Sequence, residues 1–165
     1  MTKKFLLTLS FSLVGFGWSA VKIGTVDMEK ALQSVKTGKA AKAKLEKKFN
    51  EKKSSIDKQE KSFAKAQEDF KKKSVVMSDK AKSEEAMKLQ QQYAEIMQSK
   101  QKAQLEMQQE EVKATQPILK GLGELIDDVA KSAKVDMVVE ARAGLLYAAD
   151  KVDLTDELIK KFDKK

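Results

Sequence analysis

The chain has 165 residues, a formal net charge of +8 and neither cysteine nor histidine. These absences exclude a thiolate nucleophile, a disulfide, an imidazole base and the usual zinc sites. The carboxylates that remain are scattered among lysines on predicted helical faces. The composition therefore argues against an enzyme, and we expect no catalytic centre, no metal site and no cofactor. One domain is the default for this length.

The first nineteen residues are predicted to be a signal peptide. Lys3 and Lys4 give a positively charged start, and residues 5–16 are mostly apolar, which is the pattern of a secretory signal. The apolar stretch is shorter than the roughly twenty residues that a membrane-spanning helix needs. Small side chains at Gly17 and Ser19 favour cleavage after Ser19. We therefore expect a soluble, exported mature protein.

A short strand and a short helix are predicted at the start of the mature chain. Residues 21–28 contain alternating and β-branched apolar side chains, which is typical of a strand. Asp27 is a suitable N-cap for a helix over residues 28–35, whose apolar face has helical spacing. Thr37 and Gly38 are predicted to form a turn or cap before the next element.

Residues 37–115 are predicted to form a long helical hairpin, which we call the arm. The stretch has no proline and no glycine after Gly38, and its Lys, Glu, Gln and Ala content is typical of long solvated helices. Apolar side chains recur at heptad spacing in two seams, separated by a short break at residues 74–78 that predicts an antiparallel return. The predicted seam residues are Phe49, Ile56, Phe63 and Phe70 in the first helix and Leu89, Tyr93, Ile96 and Met107 in the second.

The predicted seam is interrupted by polar residues at Lys52, Gln59, Lys100 and Glu110. A two-helix coil with that many polar positions has a thin apolar core. We therefore expect the arm to hold together but to bend, and to open at its tip before its base.

The positive charge of the arm is concentrated on its first helix. Residues 39–73 contain thirteen lysines and six acidic residues, whereas residues 79–113 contain six lysines and seven acidic residues. The lysines are densest beside the break. We expect a contact surface for an acidic client protein or anionic lipid at the tip, formed by Lys71, Lys72, Lys73, Lys80, Lys82, Val75, Val76 and Met77.

The C-terminal part is predicted to complete a small body. Pro117 should end or kink the second arm helix. A strand over residues 135–140 should pair as a hairpin with a third strand over residues 145–148. A last helix should start at Thr155.

The body then consists of residues 20–36 and 116–165. The predicted fold is mainly α with a small β body (α+β), in which a long antiparallel coiled-coil arm is inserted into a strand-containing body. Such a body buries little surface alone and leaves strand edges open, so we expect it to oligomerise through the sheet.

With this order of elements, the chain resembles the Skp/OmpH family of periplasmic chaperones. The resemblance rests on the segments KIGTVDMEKAL, TGKAAKAKLEKKF and VDMVVEARAGLLYAADKVDLTDELIKKF, and it covers essentially the whole mature chain. It implies a homotrimer with a central barrel of strands and three arms around a cavity. It also implies an ATP-independent holdase in the periplasm that binds unfolded outer-membrane proteins and delivers them toward the outer membrane. Family members are further described as contacting lipopolysaccharide or anionic phospholipid through basic arm residues.

Two other functions are compatible with the sequence. The lysine-rich helix and the pI near 9.4 fit a nucleic-acid-binding protein. Against it, Arg142 is the only arginine, and an export signal leads away from DNA, so no physiological nucleic acid is expected. The other alternative is a structural or tethering coiled coil of the cell envelope. Its arms would dock on a fixed partner instead of ending free around a cavity.

Overall fold

The structure, a computed structural model, describes residues 21–143, 145, 147–149 and 151–165. The predicted signal peptide lies outside these residues. The predicted α+β class, with a long helical hairpin inserted into a small strand-containing body, is confirmed. In chain order, the elements of the described part are β1 (Ile23–Val26), α1 (Met28–Ser34), α2 (Lys36–Lys73), α3 (Asp79–Gly123), α4 (Ile126–Ala133), β2 (Met137–Glu140), β3 (Lys151–Asp153) and α5 (Thr155–Phe162).

The first corner of the chain is tighter than the sequence suggested. Asp27 caps α1 as predicted, since its side chain accepts a 2.7 Å hydrogen bond from the Lys30 amide. The predicted turn at Thr37–Gly38 is wrong, because α2 already begins at Lys36. Gly38 lies buried in the first turn of α2, where a Cβ atom would stand 1.7 Å from the Leu32 carbonyl oxygen. The glycine is required by this close backbone approach and not by a turn.

Replacing Gly38 with alanine should therefore destabilise the body. The added methyl group must push α1 and α2 apart, and overpacking of this kind costs about 1–3 kcal/mol. Gly123→Ala is the matched control, because a Cβ there meets nothing within 4 Å and alanine is the better helix former by up to about 1 kcal/mol. Urea unfolding at one fixed protein concentration measures the free energy of unfolding of both variants. Equal stability of the two variants would contradict the close approach.

The arm is formed by α2 and α3, which have 38 and 45 residues. At 1.5 Å per residue, α2 is about 57 Å long. The helices run antiparallel, and the chain turns between Lys73 and Asp79, as the sequence predicted. Ser78 caps α3 by accepting a hydrogen bond from the Ala81 amide at 3.3 Å.

Pro117 was predicted to end or kink the second arm helix; it lies inside α3 and does not end it. A proline removes one backbone donor and crowds the preceding turn, but here it is exposed while Ile118, directly after it, is buried. Ile118 and Leu122 are buried in the core of the body. Their burial favours continuation of the helix, so α3 passes without a break from the arm into the body.

The sheet has the strand order β2-β1-β3, and both outer strands run parallel to β1. The predicted strand over residues 145–148 and its hairpin with β2 are wrong. Of that segment, Leu146 lies outside the described residues, and the other three belong to no strand. The third strand is instead Lys151–Asp153, on the other side of β1.

The reason for this difference lies just after β3. The Leu154 amide donates a 2.8 Å hydrogen bond to the Thr25 carbonyl, and the Leu154 side chain is buried in the core with Leu158. Burial of these two leucines places residues 151–153 against β1. Local strand propensity carries no information about this pairing.

The core lies between the sheet and the helices of the body. Its buried apolar members come from β1, α1, α3, α4, α5 and the residues that flank these elements, and Thr25 and Thr155 are buried as well, so the body is one packed unit. Both ends of the arm are fixed in it, through Val35 at the start of α2 and Leu122 near the end of α3. The buried apolar residues are Val26, Ala31, Val35, Ile118, Leu122, Leu125, Val129, Leu154 and Leu158.

Candidate functional site

An open groove of about 1470 Å³ runs along the lower half of the arm, between α2 and α3. It reaches from α1 in the body to the level of Glu60 and Lys100. Phe49 lines the groove and remains 53% exposed. Charged side chains of both signs form the edges. The apolar side chains in the lining are Leu32, Ala41, Leu45, Phe49, Ile56, Ala103 and Met107.

The predicted seam residues differ widely in burial. Ile96 is buried, whereas Phe49 and Tyr93 are 53% and 54% exposed. The Phe63 and Tyr93 rings lie 5.9 Å apart in a tilted arrangement, a distance at which aromatic pairs attract. The arm therefore lacks a continuous dry core. The remaining predicted seam residues, Ile56, Phe63, Phe70, Leu89 and Met107, are half-buried.

Ion pairs join the two helices at the polar positions of the seam. Lys52 binds Glu106, and Lys100 Nζ lies 2.5 Å from Glu60 Oε1. One turn below Lys52, Lys48 Nζ lies 2.5 Å from Glu110 Oε2. Lys52, Lys100 and Glu110 were predicted only as interruptions of the seam, and the ion pairs that they form were not predicted. The antiparallel register was the available signal, because each lysine lies opposite a carboxylate when α3 is counted backwards.

These pairs shift the pKa values of their members. The hydrogen bond from Lys52 lowers the pKa of the Glu106 carboxyl, and the one from Lys48 lowers that of Glu110. The hydrogen bond to Glu60 raises the pKa of the Lys100 ammonium. All these side chains are about a third to a half exposed, so solvent screens the pairs and each contributes modestly.

The tip brings the predicted contact residues together. Val75 and Val76 are 83% and 88% exposed, and Met77 is half-buried. Two of the five lysines have partners on their own helix: Lys72 lies 2.5 Å from Glu68, and Lys82 lies 3.9 Å from Asp79. Within the described residues, the remaining three, Lys71, Lys73 and Lys80, form no ion pair.

Two kinds of site are absent from the part of the chain that the structure describes. No group of acidic side chains there has the arrangement that a metal ion requires. None of its helices combines the length and the apolar character that crossing a bilayer demands. The candidate functional surface is the arm, because it has the open groove and the exposed tip.

Acid should loosen the lower arm. Since the folded-state pKa values of Glu106 and Glu110 are lowered, their pairs stabilise the arm above the ordinary glutamate pKa, and the contribution is lost as the pH falls through the lowered values. Spin labels on Ser55→Cys and Gln104→Cys, one on each helix, would report this as a distance distribution that broadens between pH 7 and pH 3.5. Labelled chains are diluted with unlabelled ones, so that only distances within one chain contribute.

In the double variant E106Q/E110Q, the distance distribution should be broader than in the parent at pH 7 and should change less in acid. The control E84Q/E111Q removes the same charge from α3 but no cross-helix pair, and should respond like the parent. An equal acid response of the parent and E106Q/E110Q would show that the pairs do not hold the arm.

No significant match is found among curated proteins, whereas a protein family and a solved structure do match the chain. A family model described as "Outer membrane protein (OmpH-like)" matches residues 22–162. A solved structure from Caulobacter crescentus CB15, provisionally described as an OmpH-like outer membrane chaperone, aligns with a TM-score of 0.73 at 20% identity. The alignment covers 90% of this chain and 87% of the other. At that identity the likeness concerns the fold.

Proposed function

Because the chain belongs to the OmpH-like family of outer membrane proteins, we propose that it is a periplasmic chaperone that holds unfolded outer-membrane proteins. The single observation that carries the proposal is the arm. It extends about 57 Å from a small body, leaves its seam half-exposed and has an open groove with exposed Phe49. A surface of this kind offers many weak contacts and no single tight site.

Weak contacts along a long arm suit a client that has no fixed shape. Each contact contributes little, but contacts on one tethered scaffold act together and retain the client without a deep pocket. The excess of lysines on α2 attracts acidic client segments from a distance. The holdase requires no ATP if the client leaves by folding into the membrane.

The holdase activity is tested by diluting a urea-unfolded outer-membrane β-barrel into buffer with and without the protein. The expected result is that light scattering by the diluted barrel is suppressed at a fixed, low ratio of chaperone to client, without nucleotide. A folded soluble protein of the same charge serves as the control. If the barrel aggregates equally with and without the protein, the proposed function is wrong.

Oligomerisation through the body belongs to the same proposal. The edge strand β3 is exposed, and so is Met137 on the other edge strand β2. Parallel strands with open edges are uncommon in isolated small sheets, because unpaired backbone groups and apolar side chains invite a partner. We propose a homotrimer that is held by the bodies, with the three arms free around a cavity.

A chain lacking residues 40–113, closed by a short loop, should remain a trimer in multi-angle light scattering. The reason is that the proposed contacts lie entirely in residues 20–36 and 116–165, outside the deleted part. Circular dichroism checks that the truncated body is folded. A folded monomer would show that the arms carry the assembly.

The tip is proposed to contact anionic surfaces, either lipopolysaccharide, anionic phospholipid or acidic client segments. Five lysines surround the exposed Val75 and Val76. Each basic group near an anionic membrane contributes up to about 1 kcal/mol, so five together suffice for measurable binding. The attraction is screened over about 8 Å at physiological salt.

Changing Lys71, Lys72, Lys73, Lys80 and Lys82 to glutamine should weaken binding to vesicles with anionic phospholipid by about tenfold or more at low salt. A matched control changes five lysines of the α2 shaft, Lys44, Lys47, Lys58, Lys61 and Lys65, and loses the same total charge. Vesicle co-sedimentation measures both variants. An equal loss of vesicle binding in the tip variant and the shaft variant would mean that net charge, and not the position of the lysines at the tip, drives binding.

A further inference from the structure

The face of α3 opposite the seam differs from every other long surface of the arm. At about 100° per residue, residues between Met87 and Leu119 that point away from α2 form a sector with no charged residue. Seven glutamines and one threonine fill most of it. Its larger apolar side chains are 37–65% exposed. We call this sector the neutral stripe; its apolar members are Met87, Ala94, Met97, Leu105, Val112 and Leu119.

The absence of charge is specific to this face. Since 35% of the chain is charged, a sector of this size would ordinarily carry several charges. The corresponding outward face of α2 is rich in lysine, with Lys47, Lys58, Lys61, Lys65 and Lys72, all of them exposed. The arm therefore has one basic side and one neutral, partly apolar side.

A second copy of the arm is a poor occupant of the neutral stripe. Leu105, Val112 and Leu119 recur at seven-residue intervals, as in a coiled coil. The alternate seam positions between them, however, are Gln101, Gln108 and Thr115, where a stable coiled coil needs apolar side chains. The stripe is about 48 Å long and, at a helix-face width of about 10 Å, offers roughly 480 Å², below the about 800 Å² per partner of a stable interface.

An extended, unfolded segment of an outer-membrane strand fits the stripe better. Such strands alternate apolar and polar side chains, so one face of the extended segment offers spaced apolar groups. Methionine adapts to apolar groups of different shapes. Glutamine amides both donate and accept hydrogen bonds, so they can satisfy the exposed backbone of an extended chain, which is costly to leave unpaired.

We propose that the neutral stripe is the surface on which the arm retains the apolar side chains of an unfolded outer-membrane strand. The proposal rests on the holdase function and assigns different roles to the basic and the neutral surfaces of the arm. The lysines of α2 and the tip attract the client over a distance, in a way that salt weakens. The neutral stripe retains it at short range, in a way that salt does not weaken. Gln108 and Thr115 line both the stripe and the groove, so the two surfaces are continuous.

A photo-crosslinking amino acid at Leu105, compared with one at Lys58 on the basic face of α2, tests the placement. The full-length protein is mixed with a urea-unfolded outer-membrane β-barrel in 1 M NaCl, where the screening length is about 3 Å. The expected result is a crosslink to the barrel from position 105 and little or none from position 58. Crosslinks from position 105 to another copy of the chain, or no crosslink, would overturn the proposal.

A substitution series tests the energetics. The variant M87Q/L105Q/V112Q should need about tenfold more protein than the parent to suppress aggregation of the barrel in 1 M NaCl, and should bind anionic vesicles as the parent does. The control A40Q/A43Q/A64Q introduces three glutamines at exposed apolar positions of α2 to which no contact is assigned, and should retain the salt-resistant activity.

The outcomes separate the two proposals. If the parent itself does not suppress aggregation, the holdase function fails. If the parent suppresses aggregation and the stripe variant does so equally well, only the assignment of the neutral stripe fails. Light scattering shows whether the stripe variant keeps the oligomeric state of the parent. A change of that state would identify the stripe as a contact between chains and would overturn the assignment.

Discussion

The narrow seam between α2 and α3 is the constraint on which the surface of the arm depends. Outside the body, the two helices of 38 and 45 residues pack only on each other, so they cover one stripe of each and the rest of their surface faces solvent. Among the predicted seam residues only Ile96 is buried, and cross-helix ion pairs such as Lys52–Glu106 replace apolar contacts along the lower arm. The arm gains solubility and an open groove, at the expense of a tightly packed core.

The body gives this loosely packed arm a firm base. Because α3 continues through Pro117, the Ile118 and Leu122 side chains connect the arm directly to the buried core. At the other end, the close contact of Gly38 with the Leu32 carbonyl fixes the direction in which α2 leaves α1. Motion of the arm is therefore expected toward the tip, where no cross-helix ion pair is found among the described residues beyond Lys100–Glu60, and not at the base.

The charges of the arm are unevenly divided between its two helices. An excess of lysines covers α2, whereas the outward face of α3 is uncharged between Met87 and Leu119. Charge acts over several ångströms and is weakened by salt, while apolar contact acts only at short range. The proposed holdase would need both, because its client must first be attracted in competition with aggregation and then retained without being folded.

Local features of the arm and body were determined by the sequence alone, since helix periodicity and capping depend on neighbouring residues. The heptad spacing located α2 and α3, the break at residues 74–78 located the tip, and Asp27 was identified as a cap. Other features were decided only by tertiary structure. Val152 and its neighbours joined β1 because burial of Leu154 and Leu158 placed them there, and Pro117 stayed helical because the next turn packs in the core. The exposed neutral face of α3 became visible only once its partner was known. Strand pairing, burial and exposure depend on residues that are distant in the chain, and no local pattern contains them.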